Sequence, residues 1–336
     1  MPTPPPPGRT PEQLPTSDPA TPRTSSKSIR SVSAWEKALA RLLAAAHLTA
    51  VATEPFRGRL RSRDLDVLCL LHLEVEPHAL RSQPADAIPS YQILLPLKGS
   101  FLAAQQGRRA TVGPGQFVLL EATTTYEVVF EEAATVVGIR VPHRVVSISP
   151  VMVRQITATG IGVDGDVVSS IMMLLARLAD DLIGSSPHHA ARLAYNLIDL
   201  LTTVLLEQLS IVVPGGPAQQ LMLKITAYVD AHLGENDLSA ETVAAAHYIS
   251  PRYLRKLYEA QNMKVSEWIR NRRLEAVRRQ LVDPVLADEP ISAVAARWGF
   301  PDPAHFSRLF KATYGRSPRQ FRREGLHGTP CGHSDG

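Results

Sequence analysis

Between Tyr91 and Val141 apolar residues fall in short runs cut by glycine turns, whereas from Val167 onward they recur at every third or fourth position. The first texture predicts strands at Gln92–Leu97, Phe101–Gln105, Arg108–Val112, Phe117–Leu120, Tyr126–Phe130 and Thr135–Val141, with turns at Lys98-Gly99, Gln106-Gly107 and Gly113-Pro114-Gly115. Strands this short and regularly spaced fit a small antiparallel barrel or jelly roll. The weaker pattern of 56–88 is expected to add edge strands. The second texture predicts helices: Val167–Leu182 carries Ile171, Leu174, Leu175 and Leu178 on one stripe, and Ala190–Leu209 carries Leu193, Leu197, Leu200, Leu201 and Val204. Each stripe needs a partner surface, either the barrel and the other helix or a second copy of the chain.

Val213-Pro214-Gly215-Gly216-Pro217 punctuates the chain as a linker, and beyond it one helical unit is written twice. In the first copy, Ser239 caps an alanine-rich helix. A turn at His247-Tyr248-Ile249 then leads to Ser250 as N-cap and Pro251 at the first helical position, where a missing N–H costs nothing. The second copy repeats this as a capped Ile291–Ala296 helix, a turn at Gly299 and an Asp302-Pro303 start, 52 residues after Ser250. The expected chain is an α+β protein of two domains. Residues 1–30 form a disordered Pro/Ser/Thr-rich tail, 31–212 a β-rich domain with two C-terminal helices and 213–218 a linker. Residues 219–326 form an all-α domain with helix-turn-helix units at about 238–260 and 291–313, and 327–336 a flexible tail.

Charge separates the two halves. The chain's formal +4 comes from 36 Lys/Arg against 32 Asp/Glu; residues 220–326 hold 17 basic and 12 acidic residues, a balance of +5, which leaves −1 elsewhere. Between 303 and 323 stand Arg308, Lys311, Arg316, Arg319, Arg322 and Arg323 with no acid, a candidate phosphate-facing surface. Residues 1–30 hold nine of the 27 prolines, too little apolar surface to offset the entropy of ordering. Cys69 and Cys331 are distant, so neither a disulfide framework nor a cysteine-ligated zinc is supported, and a reducing cytoplasm fits best. No secretory signal and no membrane span are read from the chain.

Helical spacing turns Tyr253, Leu254, Leu257 and Tyr258 inward and leaves Arg252, Arg255, Lys256 and Glu259 outside. An arginine in a major groove can bond guanine O6 and N7 together, which makes Arg252 and Arg255 base-reading candidates; the alternative is a solvated basic face that touches phosphate alone. In the second copy Phe306, Leu309 and Phe310 point inward and Ala304, Ser307, Arg308 and Lys311 outward. His305 lies near the boundary, as a base contact, a phosphate donor or a core histidine. Between the heads, Val265–Leu281 docks Trp268, Ile269, Leu274, Val277 and Leu281 while its arginines stay outward. At about 1.5 Å per residue it is roughly 25 Å long, a scale that suits two heads about one DNA turn apart. Arg270, Arg272, Arg273, Arg278 and Arg279 are expected to meet phosphates or internal acids, with Arg273 bracing the connector.

The stretch from about 220 to 324 resembles the DNA-binding domain of the AraC/XylS family of bacterial transcription regulators. The resemblance is carried by Ser250-Pro251-Arg252-Tyr253-Leu254-Arg255-Lys256-Leu257, Arg273-Leu274-Glu275-Ala276, Trp298-Gly299-Phe300, His305-Phe306-Ser307-Arg308-Leu309-Phe310-Lys311 and Tyr314-Gly315-Arg316-Ser317-Pro318-Arg319-Gln320-Phe321-Arg322. It implies seven helices, two adjacent major-groove contacts on double-stranded promoter DNA, and regulation that is most often activation, hence RNA polymerase as a partner. The DNA-binding positions carried over are Arg252, Arg255 and Lys256, then Ala304, His305, Ser307, Arg308 and Lys311. Pro303 and Ala304 offer no side-chain hydrogen bond, so the first head is expected to carry more base specificity.

Residues 56–142 resemble the cupin-like sensor half of some of these regulators, through Tyr91–Gly99, Gly107-Arg108 and Val112–Leu120. That resemblance makes 31–212 an effector-binding and dimerisation domain, with a small-molecule effector and a homodimer as partners. Metal-dependent cupins take two or three histidines from these strands, and there is none between Tyr91 and Pro142. His72, His78 and His143 match no ligand spacing, and Glu121, Glu127, Glu131 and Glu132 read as solvated strand edges. No metal, no cofactor, no catalytic residue and no membrane contact are therefore expected. Two other readings stay open: a cupin oxygenase or isomerase with a nucleic-acid-binding appendage, and a regulator that responds to a protein alone.

Overall fold

The computed structural model describes residues 24–43, 47–52, 55–65, 67–83, 89–146, 148–162, 167–184, 187–212, 217–261 and 263–327. Eleven strands build the first half as two antiparallel sheets. Sheet A holds β1 (Thr24–Ile29), β3 (Gly58–Asp64), β4 (Cys69–Val75), β11 (Ala134–Pro142), β6 (Ser90–Lys98) and β9 (Val118–Glu121), in that order. Sheet B runs β2 (His47–Ala52), β5 (His78–Gln83), β10 (Tyr126–Phe130), β7 (Phe101–Gln105), β8 (Arg108–Val112). Helix α1 (Val32–Leu43) drives Trp35, Leu39 and Leu43 into the core between the sheets, beside Leu71, Leu73, Phe101 and Phe130. All six strands expected between Tyr91 and Val141 are present within one or two residues, and the first three are closed by glycine turns. Gly99, Gly107 and Gly115 all have left-handed φ, and at Gly99 a Cβ would also meet the Ala133 carbonyl at 2.7 Å.

Two expectations fail here. The 56–88 region supplies not edges but the inner strands β3 and β4 of sheet A and the inner strand β5 of sheet B. β4 is buried at six of its seven positions, since sheet A is covered on both faces, and the two-residue alternation that marks a half-exposed strand is lost. The tail boundary at 30 is also too late. Thr24–Ile29 pairs residue for residue with Arg63–Gly58 and buries Ile29, beyond the last proline of the run at Pro22.

The second face of sheet A carries helices. After α2 (Pro150–Val153), α3 (Val167–Gly184) lies across β3, β4, β6 and β11, and α4 (Pro187–Val212) packs on α3 and on the 3-10 turn Arg154–Ile156. Leu175, Leu197, Leu201 and Val204 are buried in this layer, but Leu174 and Leu200 face outward against their expected places, at 64% and 38% exposure. The same core continues without a gap into the second half. There stand α5 (Pro217–His232), α6 (Ala240–Ala246), α7 (Pro251–Glu259), α8 (Val265–Leu281), α9 (Ile291–Arg297), α10 (Pro303–Tyr314) and α11 (Pro318–His327). These are the seven helices that the resemblance implies. Of the expected linker, Pro217 and Ala218 already belong to α5, and 213–216 lie outside the described residues, as do 1–23 and 328–336.

Candidate nucleic-acid interface

Each head is a short helix, a turn and a longer helix that starts on a proline. Ser239 and Thr242 form a reciprocal capping box at the start of α6. The Ser250 side chain accepts the N–H of Tyr253 to open α7, and the Asp302 carboxylate accepts those of Ala304 and His305, at 2.8 and 3.1 Å, to open α10. The two backbone donors, His305 first, hold the Asp302 carboxyl below the usual carboxylate range. The repeat is imperfect at α9, whose N-cap is Pro290 with no side-chain cap, so the expected capped start is absent there.

Burial sorts the two reading helices. In α7, Leu254 and Tyr258 are fully buried, while Arg252, Arg255, Lys256 and Glu259 are exposed. Tyr253 was expected inside and instead lies 40% exposed, at the rim of the face that Leu254 and Tyr258 bury. In α10, Phe306 and Phe310 are buried, and Ala304, His305, Ser307, Arg308 and Lys311 are all exposed. Among the described residues Arg252, Lys256, Arg308 and Lys311 enter no ion pair, whereas the Arg255 guanidinium bonds Glu241 of α6 at 3.1 Å. A cleft of about 840 Å³ runs between the heads, with Glu241 and Arg255 on one wall, Asp302 and His305 on the other, and Ile269, Arg270 and Arg273 of α8 as its floor.

Many of the remaining cations are structural. Arg272 pairs with Asp230 at 3.0 Å, and Arg278 is buried, bonded to Glu275 and set over the Tyr314 and Phe321 rings. The α8 arginines therefore do not all point outward as expected. Arg273 braces the heads through backbone carbonyls, Leu233 O at 3.0 Å and Glu235 O, rather than through an acid. Its guanidinium also fills the space above Gly299, the left-handed turn of the second head. Arg316 pairs with Glu324, and Arg322 donates to the Ala287 and Glu289 carbonyls, so the acid-free run keeps only Arg308, Lys311, Arg319 and Arg323 exposed. Glu275 accepts from Tyr314 Oη at 3.1 Å; burial first, and this carboxylate second, raise the Tyr314 pKa.

His72, His78 and His143 are scattered through the β half. His72 contacts Asp180, His78 accepts from Trp35 Nε1 and stacks on Phe130, and His143 stacks on Tyr91. No cluster of three metal-ligating side chains occurs among the described residues. Glu121 departs from its expected edge role: it is buried and bonded by Arg154 at 2.8 Å, because β9 is covered by the Arg154–Ile156 turn.

Residues 243–324 match the helix-turn-helix domain family, and residues 35–206 match the AraC-binding-like domain family. The transcriptional activator NphR of a Rhodococcus species is 29% identical over 266 residues, 75% of this chain and 76% of that protein. The regulatory protein PocR of Salmonella typhimurium is 32% identical over 109 residues, 32% of this chain and only 35% of its own length. Among solved structures, the AraC-like transcriptional activator CuxR aligns with 75% of this chain and 94% of its own, at 18% identity and a TM-score of 0.48.

Proposed function

Since the chain belongs to the AraC family of DNA-binding transcription regulators, we propose that it activates transcription by laying α7 and α10 in two successive major-groove segments of a promoter. The observation that carries this is the pair of capped, proline-started helices whose outer faces hold exposed, unpaired Arg252, Lys256, Arg308 and Lys311. Arg252 and Arg255 have the donor geometry for guanine, while Ala304, Ser307 and His305 present a smaller, less charged surface to the second segment. The first head thus supplies most base readout and the second sets register and backbone grip.

The half spanning 31–212 serves as effector and dimerisation domain, and 219–326 as the reading domain. No catalytic role is assigned, and no helix among the described residues is long and apolar enough to cross a membrane. A small-molecule effector, a homodimer, RNA polymerase and a cytoplasmic setting complete the reading. Selection of bound duplexes from a random pool tests it. The expected site has two constrained blocks centred about 10 base pairs apart, the first more tightly constrained; recovery of no enriched sequence, or of one block, would sink it.

A further inference from the structure

Helix α4 of the first half meets α8 and α11 of the second. From α4, Asp199 and Asn196 both bond the Arg279 guanidinium of α8, the latter at 3.3 Å, and Arg279 lies over the Tyr195 ring at 5.7 Å. One turn earlier Arg192 reaches Asp283, just past the end of α8, at 3.8 Å. α4 also packs on α11, whose Phe321 is in ring contact with Phe310 of the second reading helix. Tyr195 is buried beneath the Arg279 guanidinium. Tyr314 is the last residue of α10, and through Glu275 and Arg278 it ties that helix to α8. α4 also touches the β half, against α3, α2 and the Arg154–Ile156 turn that covers Glu121.

We propose that α4 sets the position of the second reading helix, with Tyr195 and Asp199 as positioning residues that act through Arg279, Glu275 and Tyr314. This deepens the regulatory reading above and rests on it. The sensor half then acts mainly on the second half-site, because α4 meets the last turn of α8 at Arg279 and packs on α11, whereas α6 and α7 of the first head pack on α5 and, through Tyr258 and Trp268, on the first turn of α8. A change in the β half has a direct mechanical route to that helix, because the Arg154–Ile156 turn and α2 both pack on α4. Coupling of this kind needs an element that both sites bias, and α4 is in contact with both.

The test is hydroxyl-radical footprinting of the full chain on its selected two-block site. Asp199→Arg places like charges at an exposed pair, and Arg279→Glu does the same from the other side. Each is expected to weaken protection of the second block by about five-fold, the scale of an exposed ion pair, and to leave the first block within two-fold. The double variant, with the charges exchanged, should restore the second block. Tyr195→Phe keeps the ring and probes the hydroxyl without emptying the core. Equal weakening of both blocks, stronger or unchanged protection of the second, or no recovery in the exchanged pair overturns the proposal. Absence of any footprint with the unaltered chain would instead overturn the DNA-binding reading on which it rests.

Discussion

Replacing Gly299 by alanine perturbs the point where the second head, the connector and the end of α5 meet. The backbone there has φ +78°, a left-handed conformation that costs a residue with a Cβ roughly 1–2 kcal/mol. The new Cβ would also lie 2.7 Å from Arg273 Nη1 and 2.9 Å from its Cζ, so the guanidinium must move. Moving it breaks its bonds to the Leu233 and Glu235 carbonyls. Arg273 is only half-buried, so these contribute about 1 kcal/mol each after solvent screening. The sum predicts a loss of about 3 kcal/mol in urea unfolding of the full chain, followed by the fluorescence of neighbouring Trp298. In an Arg273→Ala background the clash is gone, and the same substitution should cost only the backbone part, about 1–2 kcal/mol, which leaves a coupling of similar size. A loss below about 0.5 kcal/mol, or equal losses in both backgrounds, would refute the account of this turn.

Arg255→Ala should cost roughly 1–3 kcal/mol on the selected site and relax one base position, which a panel of single-base variants of that site reads; equal loss on all of them would make Arg255 a phosphate contact. Glu241→Gln frees Arg255 from an exposed pair, with side chains 58% and 63% accessible, and should raise affinity at low salt by up to about five-fold. Weaker binding would show instead that Glu241 orients the arginine. Burial, the first cause in each case, lowers the pKa of His78 and of His143. Folded imidazoles that bind protons more weakly than unfolded ones, at about 6.5, stabilise fully above that pH and lose the effect as pH falls through their folded values. Urea stability should therefore drop as pH falls below about 6.5, and less so in His143→Gln; stability that rises on acidification contradicts this.

The DNA-binding half was the more legible because its signals are local. Caps at Ser239, Ser250 and Asp302, prolines at 251 and 303, and the outward placement of Arg252, Arg255, Lys256, Arg308 and Lys311 all follow from spacing and hold in the fold. What spacing could not reveal is where an outward or basic side chain goes next. Arg316 and Arg322 look like phosphate ligands in the sequence, yet each is consumed by a partner brought in by another helix or loop. Arg278 sits on a polar-looking helix and is nevertheless buried, since Glu275 and two aromatic rings satisfy it.

In the β half, turns gave the strands between Tyr91 and Val141, but neither the sheet order nor the edges is written in local pattern. β1 and β2 depend on long-range pairing, and neither they nor α1 are among the expected elements, although Trp35, Leu39 and Leu43 do fall at helical spacing. Glu121 carries one usable sign, three apolar residues before it in a strand, that its side chain points into a covered face.

The central claim is that the two capped helices read DNA sequence. Its most direct measurement is binding of the full chain to the duplex upstream of its own coding sequence and to a scrambled duplex of equal composition, over a range of salt. The account predicts affinity that falls steeply with salt on both and, at physiological salt, at least about 1,000-fold tighter binding to the upstream duplex. Equal affinity for the two duplexes at physiological salt would contradict it.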